Sequence, residues 1–345
     1  MPAVAGPEVT ILDVGHGNCA IIRQDDRCVI VDAPPGATLF DELERCGIRT
    51  IDHLVLSHSD LDHMGGAAKL LWDTRFNIGT LWYNSDGTKQ TKAWKGLATQ
   101  ARLRFEAGGL DGQRNLNSAS SKDLTFSSHV SIDVLHPDLE MATLGPSERS
   151  SPMGVLTANT VSAVLLVSLE GEPAVLLAAD IDAVALGRIL DLSVNLRARV
   201  LVFPHHGGKA GRVISREFAR SLCDAVEPDL ILFSMARGGR FSNPDPEMIK
   251  GVRDSRPSAR IACTQLSIHC DAQGIGARAG HLSLHASAGR SSGACCMGSL
   301  TIRKANGVLV FQPTLDDHQS FVDSVNDPLC RRQIIPLPLP RNASP

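Results

Sequence analysis

The chain has 345 residues, of which 43% are hydrophobic, and carries a formal net charge of −3. This composition suffices for a sizeable core in one large domain or two ordinary ones. The small net charge excludes a globally basic nucleic-acid surface, so any affinity for phosphate must come from a local patch.

The N-terminal segment MPAVAGPEVTILDV has neither a basic start nor a signal-like apolar run. No stretch approaches the roughly 20 apolar residues of a membrane span. We therefore predict a cytoplasmic protein without a membrane interaction. Nine cysteines are an odd number in such a chain, which favours reduced thiols or metal ligands over a disulfide framework.

The first third of the chain alternates short β-rich runs with turns. Polar residues directly follow two of these apolar runs. Asp32 follows VIV, and Ser57 and His58 follow LVL. Ligands in α/β proteins lie where strands end, so both ends are candidate site positions. The polar residues 84–122 are interpreted as a surface excursion.

A second round of strands ends on further candidate ligands, Asp180 and the pair His205 and His206. The Asn306-Gly307 step between two alternating runs predicts a hairpin. Helices are expected over 91–105, 181–194 and 213–226.

The segment HSDLDH, residues 58–63, holds two histidines and two aspartates directly after an apolar run. We predict that it is a loop, because Gly65 and Gly66 oppose helix formation before Ala67. Nitrogen and carboxylate ligands at this density suit zinc, manganese or iron, and carboxylates favour manganese. Without a cation these carboxylates would repel one another, so a metal site is favoured over a solvated acidic turn.

Four segments, taken in order, resemble the metallo-β-lactamase superfamily and most of all its ComEC-like group of competence-protein hydrolase domains. They are LDVGHGNCAIIRQDDRCVIVDAPPG, HSDLDHMGG, NTVSAVLLVSLEGEPAVLLAADID and VLVFPHHGG. The second resembles the HxHxDH signature, with Asp60 where the second histidine usually stands. The resemblance implies a four-layer αββα sandwich over residues 1–315, followed by an extension over 316–345.

The resemblance also implies a metal-dependent hydrolase with one or two Zn²⁺ or Mn²⁺ ions and a metal-bound hydroxide as nucleophile. The implied ligands are His58, Asp60, Asp62, His63, Asp180, His205 and His206. Asp180 would bridge two metals, one held with His58, Asp60 and a histidine of the HHGG segment, the other with Asp62 and His63. The last two residues and Asp180 are thus the implied catalytic residues.

Three further residues are expected to support these ligands: Asp32, Asn159 and Asn243. Asp32 would orient His58 or a loop amide. Asn159 stands where the third-motif histidine is usual. Because Asn243 replaces a histidine that completes the second site in related proteins, the second metal is expected to bind weakly unless Asp245 substitutes. His136 is interpreted as a structural histidine at a strand end.

Basic residues in loops near the predicted site favour a phosphodiester, since arginine recognises phosphate oxygens bidentately. These residues are Lys209, Arg212, Arg237 and Arg240, and the alternative is ordinary solvated loop charge. With the ComEC-like group linked to DNA degradation during uptake, a nuclease acting on DNA or RNA is the leading function. The alternatives are a lactam or lactone hydrolase and a metal-binding partner protein without catalysis.

Aromatic residues offer base stacking, but packing is the stronger interpretation for Trp72, Trp82, Tyr83 and Trp94. Residues 266–297 form a Cys/His-rich insert that is too rich in glycine and serine to build its own core, so it needs a staple. Either a structural zinc provides it, or the cysteines are reduced and packed. The candidate zinc ligands are Cys263, Cys270, Cys296 and Cys330.

Overall fold

A computed structural model describes residues 6–124, 127–147, 150–151, 154–238, 241–270 and 279–331. The strands in these ranges are β1 (Glu8–Ile11), β2 (Ala20–Gln24), β3 (Arg27–Val31), β4 (Thr50–Val55), β5 (Asn77–Trp82), β6 (Leu110–Arg114), β7 (Val130–His136), β8 (Ser150–Ser151), β9 (Gly154–Val155), β10 (Val164–Leu169), β11 (Glu172–Leu177), β12 (Val200–Val202), β13 (Leu230–Phe233), β14 (Arg260–Cys263), β15 (Leu300–Ala305) and β16 (Val308–Gln312). The α-helices are α1 (Thr38–Arg45), α2 (Leu61–Met64), α3 (Ala67–Trp72), α4 (Lys92–Glu106), α5 (Ser121–Leu124), α6 (Leu139–Leu144), α7 (Ala183–Asp191), α8 (Ser215–Val226), α9 (Pro246–Ser255) and α10 (Leu315–Ser324).

The strands form two large sheets. The first has eight strands in the order β16-β15-β1-β2-β3-β4-β5-β6, and the second has six in the order β14-β13-β12-β11-β10-β7. Strands β3 to β6 are parallel, as are β11 to β14. Because parallel neighbours end at the same sheet edge, the residues that follow β3, β4, β11 and β12 are brought together.

The two sheets pack face to face and helices cover both outer faces. Alternate residues of β1 and β3, such as Val9 and Val29, face the second sheet. Their neighbours, such as Ile30, pack against α1 and α3. Helices α7 to α10 cover the outer face of the second sheet. The predicted four-layer αββα sandwich is confirmed.

Several predicted elements differ in detail from the structure. Residues 84–122 contain α4 and also β6, which pairs with β5, so this segment extends the first sheet as well as covering it. The predicted hairpin is present, with Asn306 and Gly307 both at positive φ. Helix α10 buries Phe321 and Val322 in the core, so the start of the predicted extension packs on the sandwich.

The predicted insert is tied to the sandwich by buried polar groups. Glu42 of α1 accepts a hydrogen bond from the Ala286 amide at 2.9 Å and pairs with His285 at 2.7 Å. Asp13, after β1, accepts the Gly289 amide at 3.0 Å. Residues 271–278 of the insert lie outside the described ranges. The domain boundaries stay predictions.

None of the helices in the described ranges combines the length and apolarity needed to cross a bilayer. The cytoplasmic location stays a prediction.

Candidate metal centre

The HSDLDH segment leaves the end of β4 and turns immediately. His58 and Asp60 lie outside regular structure, as predicted, but Asp62 and His63 lie in the one-turn helix α2. The prediction of a loop over the whole segment is therefore wrong at its second half. A single turn forms because the backbone NH groups of His63 and Met64 bond back to the Asp60 carbonyl.

The Gly65-Gly66 pair that follows this turn packs too closely on neighbouring backbone to carry side chains. A Cβ on Gly66 would lie 2.3 Å from the Pro34 carbonyl oxygen, and one on Gly65 would lie 2.5 Å from the Leu61 carbonyl oxygen. The close approach lets the Ala33 amide donate to the His63 carbonyl at 2.7 Å. The HSDLDH segment, residues 58–63, which we call the metal loop, therefore packs closely against the residues that follow β3.

The HHGG segment after β12 forms a tight left-handed turn. His205 and His206 have φ values of 52° and 55°. Left-handed conformations of non-glycine residues cost of order 1–3 kcal/mol each and cluster at functional sites. Gly207 follows at φ 81°, where a Cβ would lie 2.6 Å from the Phe233 ring, so glycine is required there.

Four side chains converge between the loops. The ligand atoms of Asp62, His63, Asp180 and His206 all lie within 4.8 Å of one another, and no other group of this kind occurs in the described ranges. Nε2 of His63 is 3.3 Å from Oδ1 of Asp180, and Nε2 of His206 is 3.1 Å from Oδ2 of Asp62. Three of these residues are buried, so their charges are poorly screened by water.

Hydrogen bonds at the Nδ1 atoms turn both imidazoles toward this group. Nδ1 of His63 lies 2.7 Å from Oδ2 of Asp32, and Nδ1 of His206 lies 2.8 Å from the Ser234 carbonyl oxygen. In the neutral imidazole, a proton on Nδ1 leaves the Nε2 lone pair free for a cation. Asp32 also accepts the Ser57 amide at 2.7 Å, so it orients a loop amide as predicted, but its histidine is His63 rather than His58.

His58, Asp60 and His205 flank the four-residue group. Nδ1 of His205 is 3.6 Å from Oδ2 of Asp180, and Nε2 of His58 is 3.7 Å from Oδ2 of Asp60. The Nε2 atoms of His58, His63 and His205 are buried and have no hydrogen-bond partner. Because an unpaired buried nitrogen is costly, these three atoms fit ligands of cations. Asp60 is also in contact with Lys89, a pairing that the sequence did not indicate.

Electrostatics favours charged carboxylates here. Burial raises the pKa of Asp180, but the His63 and His206 charges outweigh it and hold the pKa well below the usual range. Burial likewise raises the pKa of Asp62, and hydrogen bonds from His16 and His206 more than reverse this effect. The neighbouring His58 imidazole is the main cause that lowers the pKa of Asp60 to about 2. The carboxylates are therefore ionised at neutral pH, as cation binding requires.

The group opens on a cavity of about 990 Å³ whose wall includes Asp60, Asp62, Asp180 and Lys209.

The superfamily model for metallo-beta-lactamases matches residues 12–213, which is more than half of the chain. The chain belongs to the metallo-beta-lactamase superfamily. The predicted family is thereby confirmed.

Named relatives of this superfamily member include two proteins that are both 24% identical to it. Competence protein ComA of Neisseria gonorrhoeae aligns over 71% of this chain and 29% of its own length. ComE operon protein 3 of Bacillus subtilis (strain 168) aligns over 63% of this chain and 24% of its own length. The chain thus spans less than a third of either relative. The metallo-beta-lactamase fold protein YhfI from Bacillus subtilis covers 74% of this chain and 96% of its own, with 12% identity and a TM-score of 0.47.

The residues predicted to vary from the superfamily pattern have distinct surroundings. Asn243 lines the cavity, and its Nδ2 donates to the His205 carbonyl at 3.4 Å. Asp245 lines the same cavity, but its carboxylate caps α9 and accepts the Ser215 hydroxyl at 2.9 Å. Asn159 has a buried side-chain oxygen without a hydrogen-bond partner. His136 bonds the Thr160 carbonyl at 2.8 Å, which fits its structural interpretation.

The four basic residues divide after folding. Lys209 lies on the cavity wall, and Arg212 is exposed further along the same loop. The guanidinium of Arg237 donates to the backbone carbonyl of Ser267 at 2.5 Å and so holds the insert, and its role as a phosphate contact stays a prediction. Arg240 lies outside the described residues.

The aromatic residues pack away from the site. Trp82 is buried between the sheets, and Tyr83 and Trp94 form an edge-to-face pair with ring centroids 5.8 Å apart. Trp72 is exposed, but neither it nor the other three is among the described residues that line the cavity. Packing is therefore the better interpretation for three of the four.

Cys263, Cys270, Cys296 and Cys330 line one small cavity. Their sulfur atoms do not form a compact ligand group of the kind found at Asp62, within the residues described. The cysteines are free and mostly buried, an arrangement that favours reduced, packed thiols, and both this interpretation and the structural zinc stay predictions. A zinc site requires sulfurs that all approach one point at about 2.3 Å.

One histidine at the centre was missed from the sequence. His16, in the loop after β1, has its Nε2 3.2 Å from Oδ2 of Asp62. His16 lies in the LDVGHGN stretch of the first segment that resembles the superfamily, five residues after the end of β1. The strand-end rule did not select it, because other residues separate it from the strand.

Proposed function

We propose that this chain is a metal-dependent phosphodiesterase that cleaves nucleic acid, with DNA or RNA as substrate. The convergence of Asp62, His63, Asp180 and His206 beside the cavity carries the proposal. Their nitrogen and carboxylate donors suit Zn²⁺ or Mn²⁺. When bound, such a cation activates water as a nucleophile near neutral pH and polarises a phosphoryl oxygen.

In this proposal, side chains of the chain would hold the cations and orient one another. Asp62, His63 and His206 would hold one cation together with Asp180, whose carboxylate oxygens lie 3.3 Å from Nε2 of His63 and 3.6 Å from Nδ1 of His205. His58, Asp60 and His205 would hold a second cation. In this proposal the Asp62 side would bind its cation more tightly, unlike the ranking predicted from Asn243, because its donors converge while Asp60 also pairs with Lys89.

Charge balance supports two divalent cations. Three carboxylates, those of Asp60, Asp62 and Asp180, lie on one wall of the cavity, where their mutual repulsion is weakly screened. The wall also carries Lys209, whose ammonium group is exposed to the cavity and suits a phosphate oxygen. An ammonium group at this position favours an anionic phosphodiester over an uncharged lactam or lactone.

The relatives support nucleic acid as the substrate class. Both are named for competence or its operon, and the ComEC-like motifs point to the group linked with DNA degradation. The aligned part is under a third of each relative, so their full activities are not transferred.

The test is a cleavage panel with the purified full chain, using single- and double-stranded DNA and RNA with Zn²⁺, Mn²⁺ or Mg²⁺. We expect metal-dependent cleavage that chelation abolishes. The matched control is Asp62→Asn, which preserves side-chain size and removes the charge. Turnover of a lactone or lactam without any nucleic-acid cleavage would move the protein to the alternative hydrolase class. Metal binding without turnover of either would favour the non-catalytic partner protein.

A further inference from the structure

His16 is held against the metal loop by its neighbours. Gly17 has a φ of 138°, and a Cβ there would lie 2.3 Å from the Asp62 carbonyl oxygen. The Ser234 hydroxyl donates to the Gly17 carbonyl at 2.7 Å. The backbone beside His16 is therefore fixed relative to Asp62 without help from the imidazole itself.

The imidazole of His16 shares one carboxylate oxygen with His206. Their Nε2 atoms lie 3.2 Å and 3.1 Å from Oδ2 of Asp62, and the two ring centroids are 4.5 Å apart. Nδ1 of His206 faces the Ser234 carbonyl oxygen, so Nε2 is the ring nitrogen that points at Asp62 and is available to a cation.

The ring of His16 is also oriented from its other side. It stacks on Phe241 with centroids 5.2 Å apart and an interplanar angle of 27°. Its side chain is 35% exposed at the cavity, so a cation and its water can reach it. Asn243, the residue that replaces the expected histidine ligand, lines the same cavity.

We propose, on the basis of the function proposed above, that His16 is a further ligand of the cation held by Asp62, His63, Asp180 and His206. The Nε2 atom of His16 would take the place of the histidine nitrogen that Asn243 lacks. This assignment explains how the Asp62 side retains a full donor set although a histidine is missing from the later segment.

The first test measures metal affinity rather than activity. Metal-stripped full-length protein is titrated with Zn²⁺ and with Mn²⁺ by calorimetry, alongside His16→Gln. We expect one binding step to weaken by about tenfold or more and the other to stay unchanged, since even outer partners of ligands are worth 10–100-fold. The control is His269→Gln, because His269 lines the same cavity but lies beside the Ser242 carbonyl instead of Asp62.

The second test distinguishes a ligand from a residue that only positions Asp62. In His16→Cys loaded with Co²⁺, a coordinated thiolate produces a sulfur-to-metal charge-transfer band, which a thiol outside the coordination sphere does not. We expect the band in His16→Cys and its absence in His269→Cys. His16→Cys should also prefer Zn²⁺ over Mn²⁺ by a larger factor than the wild type does, because thiolate is a softer ligand than imidazole.

The outcomes separate this inference from the proposed function. Metal binding that is equal in the wild type and His16→Gln, with no band in His16→Cys, overturns the role of His16 and leaves the metallohydrolase intact. A wild type that binds no divalent metal overturns both. Thermal unfolding of the metal-free variants, expected to match the wild type, shows that any lost affinity is not lost folding.

Discussion

Two clusters in this molecule contain residue types that bind metals in other proteins, and the clusters differ in what surrounds those residues. Around Asp62, polar partners aim the imidazoles of His63 and His206 at carboxylates beside a cavity of about 990 Å³. Around Cys263, the thiols line a cavity of about 20 Å³ whose other walls are mostly apolar. That volume is close to the minimum for a single water.

The electrostatics of the two clusters is opposite. The charges of His63 and His206 hold the pKa of Asp180 well below its usual range, so the first cluster offers a charged carboxylate to a cation. Burial raises the pKa of Cys330 to about 11 and that of Cys263 well above its ordinary value, so the second cluster offers neutral thiols. Residue type alone therefore does not identify a metal site. A metal site is identified by lone pairs that point at one position and by ligands that are held in their charged form.

The largest expected effect contrasts the clusters directly. Asp62→Asn should lower hydrolytic activity by about 100- to 1,000-fold or more, the scale of removing a main electrostatic stabiliser. It should also release bound metal, while Cys263→Ser should leave metal content unchanged. Elemental analysis after mild purification, together with the cleavage assay, checks both. Loss of one zinc equivalent in Cys263→Ser would favour the structural-zinc interpretation and break the comparison.

A pH effect is expected at the thiol cluster. His318 is buried, its Nε2 lies 3.3 Å from Cys296 Sγ, and burial lowers its pKa to about 3. Between that value and the unfolded pKa of about 6.5, the unfolded chain binds a proton that the folded chain does not. Stability should therefore fall as pH drops through this window, by up to about 1.4 kcal/mol per pH unit.

Urea unfolding from pH 7 to pH 4.5 measures this slope. His318→Gln should flatten it, and the exposed His129→Gln should not. Equal slopes in all three proteins would show that His318 is not the buried neutral group described here.

Packing of the thiols themselves predicts a smaller effect. Cys263→Ala should reduce the free energy of unfolding by about 1–2 kcal/mol, because it removes a buried sulfur from a small apolar cavity. Zn²⁺ or a chelator should not change that loss. Chemical denaturation with and without each additive measures it, and a zinc-dependent difference would contradict the assignment of packed thiols.

The smallest expected effect concerns the basic loop at the cavity. Lys209→Ala and Arg212→Ala should each reduce the slope of log affinity for nucleic acid against log salt by about 0.7–0.9 if that residue contacts a phosphate. Lys250→Ala serves as a control, because Lys250 lies on α9 and pairs with Glu247 at 2.6 Å. Hydrolysis of a small activated diester should change less. Unchanged salt slopes in both variants would place the substrate path elsewhere.

Much of this protein could be predicted from local sequence. The metal loop, the HHGG turn and Asp180 each follow an apolar strand, and strand ends meet at one sheet edge whatever the details of packing. The superfamily and its sandwich follow from the order of those motifs. The hairpin at Asn306-Gly307 and the helices that became α7 and α8 were equally local, because turn chemistry and apolar periodicity act over a few residues.

Other features were decided only when distant segments packed together. Asp62 and His206 are 144 residues apart, and their contact depends on how the two sheets stack. The same packing pairs Asp32 with His63, brings His16 to Asp62, and engages Arg237 with backbone carbonyls. Sequence names the available donors and charges. Only the folded chain decides which lone pairs meet, because hydrogen bonds and coordination depend on ångström distances between elements that no local pattern encodes.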